Sequence, residues 1–309
     1  MAEVLLVGGA GFIGSNLAVH LLAAGHAVRV FERPGAVSPL PPELRERIAW
    51  REGDFTQPAS LAPALDGADI VVHLASSTLP QTSNEQPIED IQTNLIGAVR
   101  LMQASRAAKV RRLIFASSGG TIYGRPKAVP IHEDHPTEPV CSYGIVKLAV
   151  EKYLALFQAE CGLDYVALRL ANPYGPYQKP NAAQGAVGVF VGRALAGEPI
   201  EIWGDGEVVR DFVHISDVCR AVIAATDTPL THRVLNVGSG EGHSLNALIG
   251  VIEACLGRPV LVTHRPGRSV DVPVNVLDIS RIRSGLGWSP ITPFAEGVGA
   301  LIRERQAKP

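Results

Sequence analysis

Four apolar residues, Val4-Leu5-Leu6-Val7, run straight into Gly8-Gly9-Ala10-Gly11-Phe12-Ile13-Gly14, and no other stretch restricts the fold of this chain so tightly. A continuous apolar run that stops at glycine reads as a strand buried on both faces. The glycines then open a helix through Asn16, Leu17, Leu21 and Leu22, and a second strand, Ala27-Val28-Arg29-Val30-Phe31, ends in Glu32. In such a unit Gly8, Gly11 and Gly14 let a diphosphate approach the backbone of Phe12 and Ile13, at a helix N-terminus that offers free N–H groups and a positive dipole end. Glu32 falls at the distance where a carboxylate meets the hydroxyls of an adenosine ribose. The stretch therefore predicts a dinucleotide site. Arg33 leaves NADP open, because an arginine there holds a 2′-phosphate; Glu32 repels that phosphate and favours NAD.

Downstream the same alternation continues. Pro34 to Pro42 reads as a loop, and Gly53-Asp54-Phe55 follows a short strand. Asp54 either faces the adenine amine or, with Thr56, caps a helix. Ile70-Val71-Val72-His73-Leu74-Ala75 is the next buried strand, and Pro87 to Ala108 carries a helical pattern through Ile91, Leu95, Val99 and Met102. Leu113-Ile114-Phe115-Ala116 is another strand. Ser117-Ser118-Gly119-Gly120-Thr121 lies at its C-terminal end, where open parallel sheets bind ligands. Up to Leu170 this predicts an α/β chain with a Rossmann-type doubly wound parallel sheet. After Asn172-Pro173-Tyr174-Gly175-Pro176 the elements shorten and glycine and proline increase. The expected division is a cofactor domain over 1–171 and a smaller α/β substrate lobe over 172–309, with part of 211–230 packing back on the first domain.

A length of 309 residues suits two such units, and a net charge of −2 gives no reason to expect nucleic acid or an anionic membrane as partner. Small ligands are the expected partners. Cys141, Cys161, Cys219 and Cys255 are scattered and make no Cys-x-x-Cys pair, so no metal is expected and a reducing cytoplasm is. Glu3 stands where a secretory signal would be basic, and no apolar run reaches the roughly 18 residues of a membrane span.

Ser142-Tyr143-Gly144-Ile145-Val146-Lys147 carries the chemistry. If residues 142 to 158 are helical, Tyr143 and Lys147 stand one turn apart on one face. A unit charge about 4 Å away is worth roughly 4 kcal/mol at an effective dielectric near 20. Lowering a tyrosine from about 10 to about 7 takes about that much. Lys147 together with a cationic cofactor ring would then make Tyr143 a phenolate base.

The order Gly-x-x-Gly-x-x-Gly, His73-Leu74-Ala75, Tyr-x-x-x-Lys and Asn172-Pro173-Tyr174-Gly175-Pro176 resembles the extended short-chain dehydrogenase/reductase family, and within it the UDP-galactose 4-epimerase group. The resemblance covers essentially the whole chain. It implies that Tyr143 is the base and that Lys147 assists it and binds the nicotinamide ribose. It further implies that Gly8, Gly11, Phe12, Ile13, Gly14, Glu32, Arg33, Asp54, Phe55, Leu74, Ala75, Asn94 and Ser117 hold NAD. For the sugar nucleotide it implies Asn172 and Arg210 on the diphosphate with Arg268, Trp203 in the base pocket, Asp271 on the ribose and Asn275 in the hexose pocket. Asn275 is smaller than tyrosine, which leaves room for an N-acetylated hexose or a uronic acid. One position departs from the family: Gly119 stands where a Ser or Thr is usual, so Ser118 or Thr121 is expected to supply the hydroxyl.

The activity so implied is 4-epimerisation of a UDP-hexose in polysaccharide biosynthesis, in which sugar C4′ passes hydride to NAD and takes it back on the other face, by a cytoplasmic homodimer. The alternatives are an NAD(P)H-dependent reductase of a nucleotide-linked 4-keto-6-deoxy sugar and a non-catalytic NAD(P)-sensing protein. Intact Tyr143 and Lys147 argue against the sensor.

Overall fold

The computed structural model describes residues 1–78, 82–179, 185–267 and 272–307. The chain opens with β1 (Glu3–Val7), α1 (Phe12–Ala23), β2 (Ala27–Glu32), the short α2 (Pro42–Arg45), β3 (Ala49–Glu52), α3 (Pro58–Leu65) and β4 (Ile70–His73). α4 (Pro87–Asp90) passes through a π-helical turn, Ile91–Ile96, into α5 (Gly97–Ala107). β5 (Arg112–Ser118), α6 (Ser142–Cys161) and β6 (Tyr165–Leu170) complete the first half. β7 (Asn172–Tyr174), α7 (Ala186–Ala196), β8 (Ile200–Trp203), β9 (Val209–His214), α8 (Ile215–Asp227), β10 (Val234–Val237), β11 (Gly242–Ser244), α9 (Leu245–Leu256), β12 (Val262–Arg265), β13 (Val274–Asn275), α10 (Ser280–Leu286) and α11 (Phe294–Ala307) follow.

Seven strands in the order β10-β6-β5-β4-β1-β2-β3 form one parallel sheet. Strand order reverses between β1 and β4, which opens a crevice at their C-terminal ends. The apolar run of β1 is divided between two cores, as burial on both faces requires. Val4 and Leu6 pack with α1 and α8, whereas Leu5 and Val7 pack with α3, α5 and α6. The seventh strand comes from the second half of the chain: β10 pairs with β6, Val234 opposite Ala167, and α8 packs on α1. Residues 215–227 thus lie back on the sheet.

The remaining elements build a lobe around Tyr174, Phe190, Ile202, Phe212, Ile252 and Phe294. β9 is its spine, paired with β7, β11 and β13, and β8 pairs with β12. Asp211 is fully buried in β9 and accepts hydrogen bonds from the backbone N–H groups of Ser239, Gly240 and Leu277 and from the Ser239 hydroxyl. That carboxylate ties the loop after β10 to the strand that carries Arg210. Among the described residues no helix is long and apolar enough to cross a membrane.

Candidate active site

The glycine turn is shaped by what surrounds it. Gly8 has φ +84°, and a Cβ there would stand 2.6 Å from the Ala75 backbone, so the turn after β1 and the end of β4 touch. Leu74 and Ala75 both donate their N–H groups to the Val7 carbonyl, which fixes this junction. A Cβ on Gly14 would lie 2.5 Å from Gly9, so glycine is required for close packing of α1. Gly11 is different. Its Cβ would meet nothing nearer than the Gly8 carbonyl at 3.9 Å, so the protein's own packing does not demand glycine there. An exposed glycine at the start of a helix with no side-chain cap fits close approach by a diphosphate. Phe12 and Ile13, in the first turn of α1, pack partly into the core beneath.

Glu32 ends β2 and turns its carboxylate over this loop, accepting from the N–H groups of Ala10 at 3.2 Å and Arg33 at 3.1 Å. Arg33 is exposed and lines, with Glu32, Arg45, Trp50 and Arg51, a cavity of about 440 Å³ beside the turn. Asp54 closes a local turn, one oxygen accepting from both the N–H and the hydroxyl of Thr56. Phe55 packs against Gly97 and tilts onto His73. The donor set and the glycine cradle fit a dinucleotide.

Two residues expected against the cofactor are turned into the protein's own bonds. Asn94 is buried; its amide donates to Thr78 Oγ1 and Asp90 Oδ1, and its oxygen accepts from the Ser77 N–H. It thus fixes the Ser77–Thr78 loop from below. Ser117 points to the opposite side of β5 from Ser118 and donates to Glu151 at 2.6 Å.

Helix α6 places Tyr143 and Lys147 as the spacing predicted. Lys147 is 6% exposed; its ammonium donates to the Ala116 carbonyl at 2.8 Å, lies 4.6 Å over the Phe115 ring and stands 5.5 Å from the centre of the Tyr143 ring. The electrostatics of the protein's own groups do not by themselves lower the phenol. Burial pushes Tyr143 up to about 12, with Cys141 and Asp90 adding to the rise. Burial also pushes Lys147 down to about 8, against the opposing pull of Asp90 and Glu151. The cost of desolvating a phenolate outweighs what the ammonium supplies from its seat against Ala116 and Phe115. A phenolate near neutral pH therefore needs more positive charge than the chain itself provides. His73 is buried between Phe55 and Phe115 and pushed down to about 3 by burial and then by Lys147, so it stays neutral and packs.

The departure at Gly119 has a steric cause. A Cβ there would lie 2.5 Å from Leu277 Cδ1 and 3.2 Å from the Arg169 carbonyl, so a buried side chain from the second half of the chain crowds the volume a Ser or Thr would need. Ser118 ends β5 half-buried, and Thr121 Oγ1 is buried with no hydrogen-bond partner among the described residues. The Thr121 carbonyl abuts Gly144, next to Tyr143 in α6.

On the lobe side, Asn172 donates to the Asp211 carbonyl, Trp203 is 40% exposed beside a cavity of about 350 Å³, and Arg210 donates to the Val272 carbonyl at 2.7 Å. Asn275 is buried; its amide donates to the Gly119 carbonyl at 3.2 Å while its oxygen has no partner among the described residues. Arg268 and Asp271 lie outside the described residues. Among those described, no His, Cys, Asp and Glu cluster is arranged to hold a metal ion.

The sequence reading missed Glu151 and Asp90. Glu151 continues the four-residue spacing of Tyr143 and Lys147 and forms a buried ion pair with Arg169 at 2.8 Å, a signal that was present. Asp90 meets Ser142 across 52 positions, and no local pattern announces that contact.

Residues 4–238 match the family described as NAD dependent epimerase/dehydratase. The chain is 35% identical over 305 residues to the UDP-glucose 4-epimerase of Mycolicibacterium smegmatis, covering 97% of each. Its fold matches a UDP-glucose 4-epimerase of Thermotoga maritima crystallised with UDP-glucose, at a TM-score of 0.92, 34% identity and 98% coverage of both chains. It also matches a Thermus thermophilus UDP-glucose 4-epimerase in complex with NAD, at 0.91 and 31% identity, covering 99% of this chain and 100% of that one.

Proposed function

The chain belongs to the NAD dependent epimerase/dehydratase family, and from that premise we propose that it is an NAD-dependent 4-epimerase of a UDP-hexose. The observation that carries the proposal is the Tyr143–Lys147 pair, one helical turn apart, with Lys147 reaching the C-terminal end of β5 beside the switch-point crevice. The Gly8–Gly14 turn and Glu32 would hold NAD at its diphosphate and adenosine ribose, and Lys147 at the nicotinamide ribose. The chemistry NAD supplies when bound is a reversible two-electron oxidation at sugar C4′.

The chain's own residues handle the proton. Tyr143 takes it from the 4′-hydroxyl and returns it, and the raised phenol keeps it from ionising until further positive charge is beside it. Ser118 and Thr121 are the candidates for relaying that proton, since Gly119 offers none. Asn172, Arg210 and Trp203 would hold the nucleoside diphosphate, with Arg268 and Asp271 assigned from the family pattern alone. Guanidinium groups suit a diphosphate because their planar forks match its oxygens. Asn275 leaves its amide oxygen unsatisfied, an acceptor suited to the N–H of an N-acetyl group on a larger sugar, whereas a uronic carboxylate would have to draw on the amide N–H that donates to Gly119.

Residues 1–171 serve the cofactor and 172–309 the sugar nucleotide. The protein is a homodimer, supported by the exposed Ile88, Ile91, Ile96, Ile145, Tyr153 and Leu156 on neighbouring helical segments. It works in the cytoplasm in polysaccharide biosynthesis, the first of which agrees with four free cysteines.

The test is conversion of UDP-galactose to UDP-glucose by the purified protein with no cofactor added. Interconversion without net change in oxidised or reduced nicotinamide is expected, and so is measurable turnover of a UDP-N-acetylhexosamine. Turnover that requires stoichiometric NAD(P)H would point to the reductase instead.

A further inference from the structure

Tyr143 sits in the first turn of α6, and that turn is held by side chains far away in sequence. The Ser142 N–H donates to Asn84 Oδ1 at 2.8 Å, and the Tyr143 N–H donates to Ser83 Oγ at 3.1 Å. The Ser142 hydroxyl donates to Asp90 Oδ2 at 2.7 Å, while Asp90 Oδ1 accepts from Thr78 Oγ1 and Asn94 Nδ2, each at 2.8 Å. Asp90 is 0% exposed. It joins the start of the catalytic helix to the loop after β4 and to the π-helical turn. A carboxyl group buried to this degree needs such a set of donors, and it lies at the N-terminus of α6, where the dipole favours negative charge.

Neutral side chains could satisfy the same donors, so the charge needs its own reason. We propose that Asp90 is a positioning residue of the reaction: its carboxylate fixes the first turn of α6, and its charge sets the protonation balance of Tyr143 and Lys147. Other groups facing the pair leave room for this role. Glu151 faces Lys147 from α6 but is shared with Arg169 and Ser117. His73 faces it from β4 and stays neutral, and Cys141 faces Tyr143 as a thiol raised by burial. Asp90 acts on both members, favouring the ammonium and opposing the phenolate. Removing its charge must therefore bring both groups to titrate at lower pH, loosening the proton on Lys147 and easing ionisation of Tyr143.

The inference rests on Tyr143 as the base, and its test separates the two. In the holoenzyme, Asp90→Asn keeps the shape and removes the charge. Both limbs of the pH profile of kcat/KM for the sugar nucleotide should move to lower pH by about one unit. Ultraviolet titration of tyrosinate, taken as the difference from Tyr143→Phe, should show the same downward shift for Tyr143, whether or not Tyr143 proves to be the base. Ser142→Ala removes a hydrogen bond but keeps the charge; it should lower kcat with KM unchanged and leave both limbs in place. Asp90→Thr repeats the measurement with a smaller neutral side chain. The proposal is overturned if the neutral variants lose rate with the limbs and the tyrosinate titration unmoved. It is overturned equally if rate and profile are both unchanged, or if no neutral variant folds while Asp90→Glu does.

Discussion

Leu277 decides what residue 119 can be. Its side chain fills the space beside the end of β5, and the loop is further pinned by the Asn275 amide on the Gly119 carbonyl. Restoring the hydroxyl with Gly119→Ser should therefore destabilise the fold by about 1–3 kcal/mol through overpacking. Shortening the neighbour in Gly119→Ser/Leu277→Val should recover part of that loss. Urea unfolding of both single variants and the double one measures this, and strictly additive effects would show that Leu277 is not the obstacle. At this scale the sequence was readable where chemistry follows spacing, as with Tyr143 and Lys147. It was not readable where burial sets the outcome. The phenol rises because of everything packed around it, and the seat of Lys147 against Ala116 and Phe115 exists only once β5 and α6 meet.

Helix α6 is bounded by two different devices. Its start is held by Ser83, Asn84 and Asp90, and its end by Gly162, which adopts φ +71° and donates its N–H to the Gln158 carbonyl. A Cβ on Gly162 would meet nothing within 4 Å, so the cost of Gly162→Ala is conformational alone. We expect a loss of about 1 kcal/mol, the size of the left-handed penalty for a non-glycine residue, with turnover unchanged. Thermal unfolding beside the epimerase assay checks it, and an unaltered melting temperature would contradict it. The C-terminal stop is written locally, because Gly162 follows directly on the helical pattern. The N-terminal cap is not, since Asn84 and Ser142 stand 58 positions apart. The π-helical turn was likewise invisible, because Ile91–Ile96 carries the same apolar spacing that an unbroken α-helix would show.

For the whole molecule, the alternation of strands and helices specified the parallel sheet, but the seventh strand did not come from the half that builds it. Val234–Val237 is a short strand interrupted by Asn236, and its place beside β6 is set by docking, with α8 against α1, rather than by its own pattern. Exposed Ile145 and Leu156 on α6, with Ile88, Ile91 and Ile96 nearby, leave an apolar face suited to a second copy. Light scattering at micromolar concentration should give a dimer, and Ile145→Glu with Leu156→Glu should shift it to monomer; a monomeric parent would refute the dimer. The central claim, that the buried phenol of α6 is the base for a redox-neutral inversion, is tested most directly by Tyr143→Phe. Turnover of UDP-galactose should fall at least about a hundredfold, the loss expected for a general base, while NAD measured in the purified protein stays at the parent level. Near-parental turnover with NAD intact would contradict the account.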